Sequence, residues 1–131
     1  MNSCPFCEIL EQGSREILWQ DGFAFAIRDA YPISPGHSLV ITKRHVGSFW
    51  DCTSEEKASL MVGAEWLKED LDGGFSSVGG WNLGINVGES AGQTVYHVHL
   101  HVIPRFEGDV EDPTGGVRGS MPGEANYHHS A

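Results

Sequence analysis

The sequence predicts an α+β fold, a mainly antiparallel sheet of about five strands with one long and one short helix. Three observations predict it. Short runs rich in β-branched and aromatic residues recur, separated by Gly, Pro and Asp-Gly breaks. One stretch after Thr53 places apolar residues at helical spacing. A histidine-rich stretch near the end of the chain alternates polar and aliphatic residues at the period of a strand.

The elements follow in order. Phe6 to Glu11 reads as a short helix with Phe6, Ile9 and Leu10 on one face. Ile17 to Gln20 and Phe23 to Arg28 read as two strands around Asp21-Gly22, a dipeptide suited to a tight hairpin. Tyr31 to Gly36 carries two prolines and a glycine and reads as a loop. Ser38 to Lys43 has the β-branched content of a strand. Thr53 and Glu56 fit a capping box for the long helix. Leu60, Ala64, Leu67 and Leu71 then mark its apolar face, and Gly73-Gly74 ends it. Trp81 to Val87 is a further strand, Gly88 to Gly92 a turn, and Val95 to Ile103 the last strand, stopped by Pro104.

Composition narrows the function classes. A chain of 131 residues fits one domain. We expect residues 1–106 to form it and residues 107–131, dominated by Gly, Pro and acidic side chains, to be a tail packed on the domain or partly disordered. The formal net charge is −10, with only eight Lys and Arg residues, which argues against a nucleic-acid partner. No apolar run approaches the roughly 18 residues of a membrane span, and the N-terminus carries no apolar signal run. The expected location is the cytoplasm, with no membrane partner. Three cysteines, Cys4, Cys7 and Cys52, argue against a disulfide framework.

The informative stretch is Gly92-Gln93-Thr94-Val95-Tyr96-His97-Val98-His99-Leu100-His101-Val102-Ile103. In a strand, alternate side chains share a face, so His97, His99 and His101 lie together, opposite Val98, Leu100 and Val102. Three chemistries fit such a face. It can be plain solvated sheet. It can chelate a metal. Or a histidine can attack phosphorus and form a covalent intermediate. Gln93, Thr94 and Asn86 offer neutral donors nearby, which suit an anion better than a metal ion.

The triplet with its Gly-Gln-Thr-Val lead resembles the signature of the histidine-triad superfamily, which implies a HIT-like fold. Cys4-Pro5-Phe6-Cys7, Arg28-Asp29, Pro35-Gly36-His37-Ser38-Leu39-Val40-Ile41, Lys43-Arg44-His45 and Asn86 fall in the order expected of that family, so the resemblance spans approximately residues 4–106. It implies a nucleotide hydrolase or nucleotidyltransferase acting on a purine nucleotide α-phosphate, in a phosphoramidate or dinucleoside polyphosphate. His99 would be the nucleophile. The His97 carbonyl would hold the His99 ring, His101 would contact the phosphate or leaving group, and His37 would complete the cluster. Asn86, Gln93 and Thr94 would hold phosphate oxygens and Asp29 ribose hydroxyls. Phe6, Ile9 and Phe25 would line a slot for the base. The resemblance implies a homodimer and no catalytic metal. The alternative is a binding module that holds purine nucleotides without turnover.

Cys4-x-x-Cys7 admits a redox pair, two unrelated buried thiols, or half of a structural zinc shell. Similarity to bacterial members of the family implies zinc, with His45 and His97 completing a Cys₂His₂ set and Cys52 as filler. Elsewhere, Glu65, Lys68, Glu69 and Asp70 read as a solvated helix face, and Trp50 and Trp66 as core or interface anchors. Arg105 either caps the strand edge or faces the phosphates. His128 and His129, beside Tyr127, read as part of a disordered terminus; the resemblance implies the alternative that such a segment reaches toward a partner's active site and bears on substrate choice.

Overall fold

In the computed structural model, which describes residues 4–74 and 77–126, the chain runs through α1 (Pro5–Gln12), β1 (Trp19–Gln20), β2 (Ala24–Arg28), β3 (Ser38–Thr42), α2 (Ser54–Gly74), β4 (Val78–Gly84) and β5 (His99–Phe106). The five strands make one antiparallel sheet in the order β1-β2-β3-β5-β4. Single 3₁₀ segments lie at Phe49–Asp51, Glu89–Ala91 and Gly116–Ser120. Tyr127, His128 and His129 lie outside the described residues. Among the described residues, no helix is long and apolar enough to cross a membrane.

Local chemistry sets the elements. Pro5 opens α1, and Gly13 closes it at φ +63°, its N–H reaching the Ile9 carbonyl. The Asp21 carboxylate accepts the N–H groups of Phe23 and Ala24 and so folds the β1–β2 turn. At α2 the capping box is reciprocal. Glu56 N donates to Thr53 Oγ1 at 3.1 Å, and Thr53 N donates to Glu56 Oε1 at 2.8 Å. Arg44 grips the same carboxylate in a fork at 2.8 and 2.9 Å, which ties the chain after β3 to the helix start.

The sheet is covered on both faces, which is why β2 and β3 are buried along nearly their whole length. One face carries Ala24, Ala26, Val40, Leu100 and Val102 against Leu60, Ala64 and Leu67 of α2. Gly63 permits that approach. A Cβ there would fall 2.6 Å from Val40 and 2.8 Å from Trp19. The opposite face carries Phe25, Ile27, Leu39 and Ile41 against Phe6 and Ile9 of α1. The short helix covers only part of this second face, and His99 and His101, paired with Ile41 and Leu39, occupy its continuation.

Several expected boundaries move. β5 starts at His99 rather than Val95, because the facing chain makes an excursion over residues 43–45. Val98 accordingly accepts from Thr42 N and donates to Val46 O, two residues on either side of that excursion. Pro104 lies inside β5 and does not stop it. Its carbonyl accepts from the Ser34 hydroxyl on the side where β3 has not yet begun, so its missing N–H costs no ladder bond. β4 runs Val78–Gly84 rather than Trp81–Val87, and β1 is shorter than expected. Trp66 packs on the core as expected, whereas Trp50 is 71% exposed and takes no part in it. Cys52 is buried in the core. Glu65, Lys68, Glu69 and Asp70 are exposed on α2, with Asp70 paired to Arg28.

Beyond β5 the chain folds back. Arg105 holds Asp109 with two nitrogens at 2.7 and 2.8 Å and Asn82 with the third at 2.7 Å, so its guanidinium braces the start of the tail. The Gly116–Ser120 turn lies against β4, where a Cβ on Gly116 would come 3.2 Å from the Asn82 amide nitrogen.

Candidate active site and metal centre

Backbone partners define the neutral-ring tautomers of His97, His99 and His37. His99 Nδ1 lies 2.8 Å from the His97 carbonyl, which only accepts, so Nδ1 carries the proton and Nε2 keeps its lone pair. His97 Nε2 lies 2.6 Å from the Thr42 carbonyl and is protonated for the same reason. Its Nδ1 lone pair then points to Cys4 Sγ at 3.3 Å and Cys7 Sγ at 3.6 Å. His45 Nδ1 lies 3.2 Å from Cys7 Sγ. His37 Nε2 meets His101 Nδ1 at 3.0 Å. The rings form a row. The His99 and His101 centroids are 5.3 Å apart, and Phe6 meets both His97 and His99 edge-on.

Burial keeps much of this cluster neutral. It pushes His101 down to about 4, helped by His99 and His37 and opposed by Asp29. His97 is lowered chiefly by burial, against the Thr42 hydrogen bond, and His37 is lowered by burial against the pull of Asp29. Asp29 Oδ2 sits 3.3 Å from His37 Nε2, and Oδ1 accepts the Tyr31 N–H at 2.8 Å.

The structure thus brings together His97, His99, His101, His37 and Asp29, and separately Cys4, Cys7, His45 and His97. Thr94 and Asn86 stand at exposed positions. Gln93 is different. It is buried, accepts the Gly88 N–H at 2.8 Å, and spends both amide hydrogens on the Gly47 and Val95 carbonyls at 2.7 and 3.2 Å. In this conformation it braces the loop before the histidines and has no hydrogen left for a phosphate oxygen. Phe6, Ile9 and Phe25 are buried in the α1 core and offer a base little open surface. Two contributors leave no mark in the sequence. The Thr42 carbonyl and the Ile33 N–H fix ring protonation through the backbone, which no residue type advertises.

The four Cys and His donor atoms lie within 4.8 Å of one another. They fit a tetrahedral zinc ion, whose bonds of about 2.0–2.3 Å put donors roughly 3.3–3.8 Å apart. The Thr42 carbonyl adds the outer partner that orients a ligating imidazole.

Fold and site together define an α+β protein that places a row of histidines beside a thiol–imidazole cluster. Comparison with known proteins is in agreement, and the chain belongs to the histidine-triad family, whose HIT domain matches residues 11–108. An uncharacterized HIT-like protein of Methanocaldococcus jannaschii is 36% identical over 110 residues, covering 82% of this chain and 83% of the relative. A bis(5′-adenosyl)-triphosphatase of Dictyostelium discoideum is 38% identical over 97 residues, covering 74% of this chain and 64% of that protein. The structure of a Zn-bound histidine triad family protein from Mycobacterium smegmatis superposes with a TM-score of 0.74 at 35% identity, over 82% of this chain and 78% of that one.

Proposed function

We propose that this protein is a nucleotide hydrolase or nucleotidyltransferase working through a covalent nucleotidyl-His99 intermediate. The observation that carries the proposal is the 2.8 Å bond from His99 Nδ1–H to the His97 carbonyl, which commits Nε2 to be the nucleophile. Nε2 attacks the α-phosphorus and the bond to the leaving group breaks. The leaving group departs with the electron pair and takes up a proton. Water then attacks the same phosphorus and gives up a proton, replacing the one the leaving group took; the P–N bond breaks, the nucleoside monophosphate is released and His99 is regenerated. His101 contacts the phosphate or leaving group, while Thr94 and Asn86 supply neutral donors at exposed positions. No catalytic metal takes part in this scheme. The substrates are purine nucleotides joined through the α-phosphate to an amine or a second nucleotide, the second of these supported by the activity named for the Dictyostelium relative. Residues 1–106 are taken as the catalytic domain, followed by a tail whose first part, from Asp109, is tied back to it by Arg105.

Zinc on Cys4, Cys7, His45 and His97 is proposed as structural. It closes the tetrahedral shell with protein ligands and pins α1 to the sheet beside the nucleophile. A homodimer is proposed through α2 and β4. Exposed Met61, Val62 and Leu83 flank an apolar recess lined by Ala64, Trp81 and Val102 at the open edge of the sheet.

The test is turnover of adenosine 5′-phosphoramidate and of a dinucleoside tetraphosphate. Wild-type protein is expected to release nucleoside monophosphate from at least one of them, and His99→Ala to lose on the order of 10³-fold or more. Tight nucleotide binding without release would favour the non-catalytic module. Activity surviving in His99→Ala would remove His99 as nucleophile.

A further inference from the structure

Three of the four proposed zinc ligands are held by the core. Cys4 and Cys7 belong to the α1 core cluster, and the buried His97 ring is fixed by the Thr42 carbonyl. His45 is different. It is exposed and stands at the end of the excursion over residues 43–45, outside any helix or strand. Ordering an exposed side chain costs conformational entropy, and a ligand left loose binds a metal weakly. The excursion therefore needs an anchor of its own.

The anchor is Arg44, the residue before His45. Its guanidinium reaches the α2 side of the sheet, whereas His45 Nδ1 lies 3.2 Å from Cys7 Sγ on the α1 side. Arg44 Nε and Nη2 form a fork on the Glu56 carboxylate at 2.9 and 2.8 Å, and Nη2 also donates to the Asp51 carbonyl at 3.1 Å. Glu56 is buried, and Thr53 N donates to the same carboxylate at 2.8 Å. Such a carboxylate is a firm point of attachment, because losing its partner would leave a buried charge uncompensated. The helix start does not need the fork, since Thr53 and Glu56 already cap it reciprocally. The Arg44 backbone is tethered as well. Its carbonyl, in the peptide that leads into His45, accepts from the Thr42 hydroxyl at 2.8 Å. Thr42 thus serves two ligands, His97 through its carbonyl and His45 through its hydroxyl.

We infer that Arg44 and Glu56 are positioning residues for the zinc ligand His45, with the Thr42 hydroxyl as a second tether. The inference rests on the zinc proposed at Cys4, Cys7, His45 and His97. It adds an outer set of residues, reaching from the opposite side of the sheet, that presents the fourth ligand.

The test titrates metal-free protein with zinc against a chromophoric chelator, and with cobalt(II), whose visible spectrum reports the ligand set. Arg44→Ala is expected to weaken zinc binding by about 10- to 100-fold, as loss of a group that orients a ligand does. Its cobalt spectrum is expected to move toward that of His45→Ala. Arg44→Lys keeps the charge but not the fork and is expected to recover part of the affinity. Thr42→Val deletes one tether and is expected to weaken zinc binding about fivefold, the worth of one hydrogen bond. In the double variant Arg44→Ala, His45→Ala, the loss is expected to match that of His45→Ala alone, because Arg44 acts through His45. Zinc affinity within about twofold of wild type, with an unchanged cobalt spectrum, in Arg44→Ala would overturn the inference whatever the change in Tm. So would losses from Arg44→Ala and His45→Ala that simply add. Arg44→Lys and Thr42→Val both keep a cation opposite the buried carboxylate, so they decide the matter if Arg44→Ala does not fold: wild-type affinity in both would overturn the inference. Wild-type protein that binds neither metal would overturn the zinc reading and the inference with it.

Discussion

Two clusters of ligating atoms flank His99, and their inner distances are alike. Cys4, Cys7, His45 and His97 form one, and Asp29, His37 and His101 the other, each with its donor atoms inside 4.8 Å. Yet they are prepared for different occupants. At the first, a backbone carbonyl, that of Thr42, takes the His97 Nε2–H and leaves Nδ1 as a lone pair aimed at two sulfurs. At the second, a backbone N–H, that of Ile33, donates to His37 Nδ1, and His37 Nε2 faces His101 Nδ1 at 3.0 Å. A backbone group of opposite polarity faces one ring in each place, and that contrast, more than spacing, distinguishes them.

Metal removal separates the two clusters most strongly. Purified protein is expected to carry zinc, and chelation or the Cys4→Ser, Cys7→Ser double variant to lower Tm by roughly 10 °C or more, because metal binding free energy is folding free energy. His37→Phe, in the second cluster, is expected to leave the zinc content unchanged. Zinc-free protein whose Tm ignores the cysteine changes would show that the two clusters are not different in kind.

A smaller effect sharpens the electrostatic side. In the unfolded chain His101 takes up its proton near 6.5, while the folded site holds it down to about 4. Between these values the unfolded state binds more protons, so stability is complete above about pH 6.5 and falls as the pH drops toward 4. His37 and His97 are shifted in the same direction, burial being the largest cause for each. Thermal melts between pH 7 and 4.5 should therefore decline by several degrees beyond any general acid effect, and more shallowly in His101→Gln. Equal slopes for the two proteins would show that His101 contributes nothing to acid sensitivity.

The smallest expected change lies outside both clusters and serves as a reference. Thr53→Ala removes the hydroxyl that caps α2 and should cost about 1 kcal/mol, with zinc content unchanged. A larger loss, accompanied by a change at either cluster, would mean that the helix start is coupled to the site through Glu56 and Arg44.

Much of the framework was legible because local chemistry is written in side chains. The Thr53–Glu56 box, the aliphatic spacing of α2 and the Asp21 turn all appear where the sequence puts them. The alternation Val98, Leu100, Val102 against His97, His99, His101 divides the two faces as the strand period requires, although the ladder itself begins only at His99. What moved depended on the neighbouring strand. Pro104 reads as a stop until β3 is seen to begin too late to need its N–H. Gln93 reads as a phosphate donor until its amide is found bracing Gly47, 46 positions away in sequence. Asp29 is found beside His37 and His101, a neighbourhood that its place in the sequence does not show.

By itself, then, the sequence determined the α+β class, the shared face of the histidines and the list of groups able to ligate or attack, because periodicity and residue chemistry are local properties. The tertiary structure decided which nitrogen of the His97, His99 and His37 rings faces a backbone donor or acceptor. That choice depends on the Thr42, His97 and Ile33 backbone groups, which every residue carries alike and which acquire meaning only when the fold sets them against a ring.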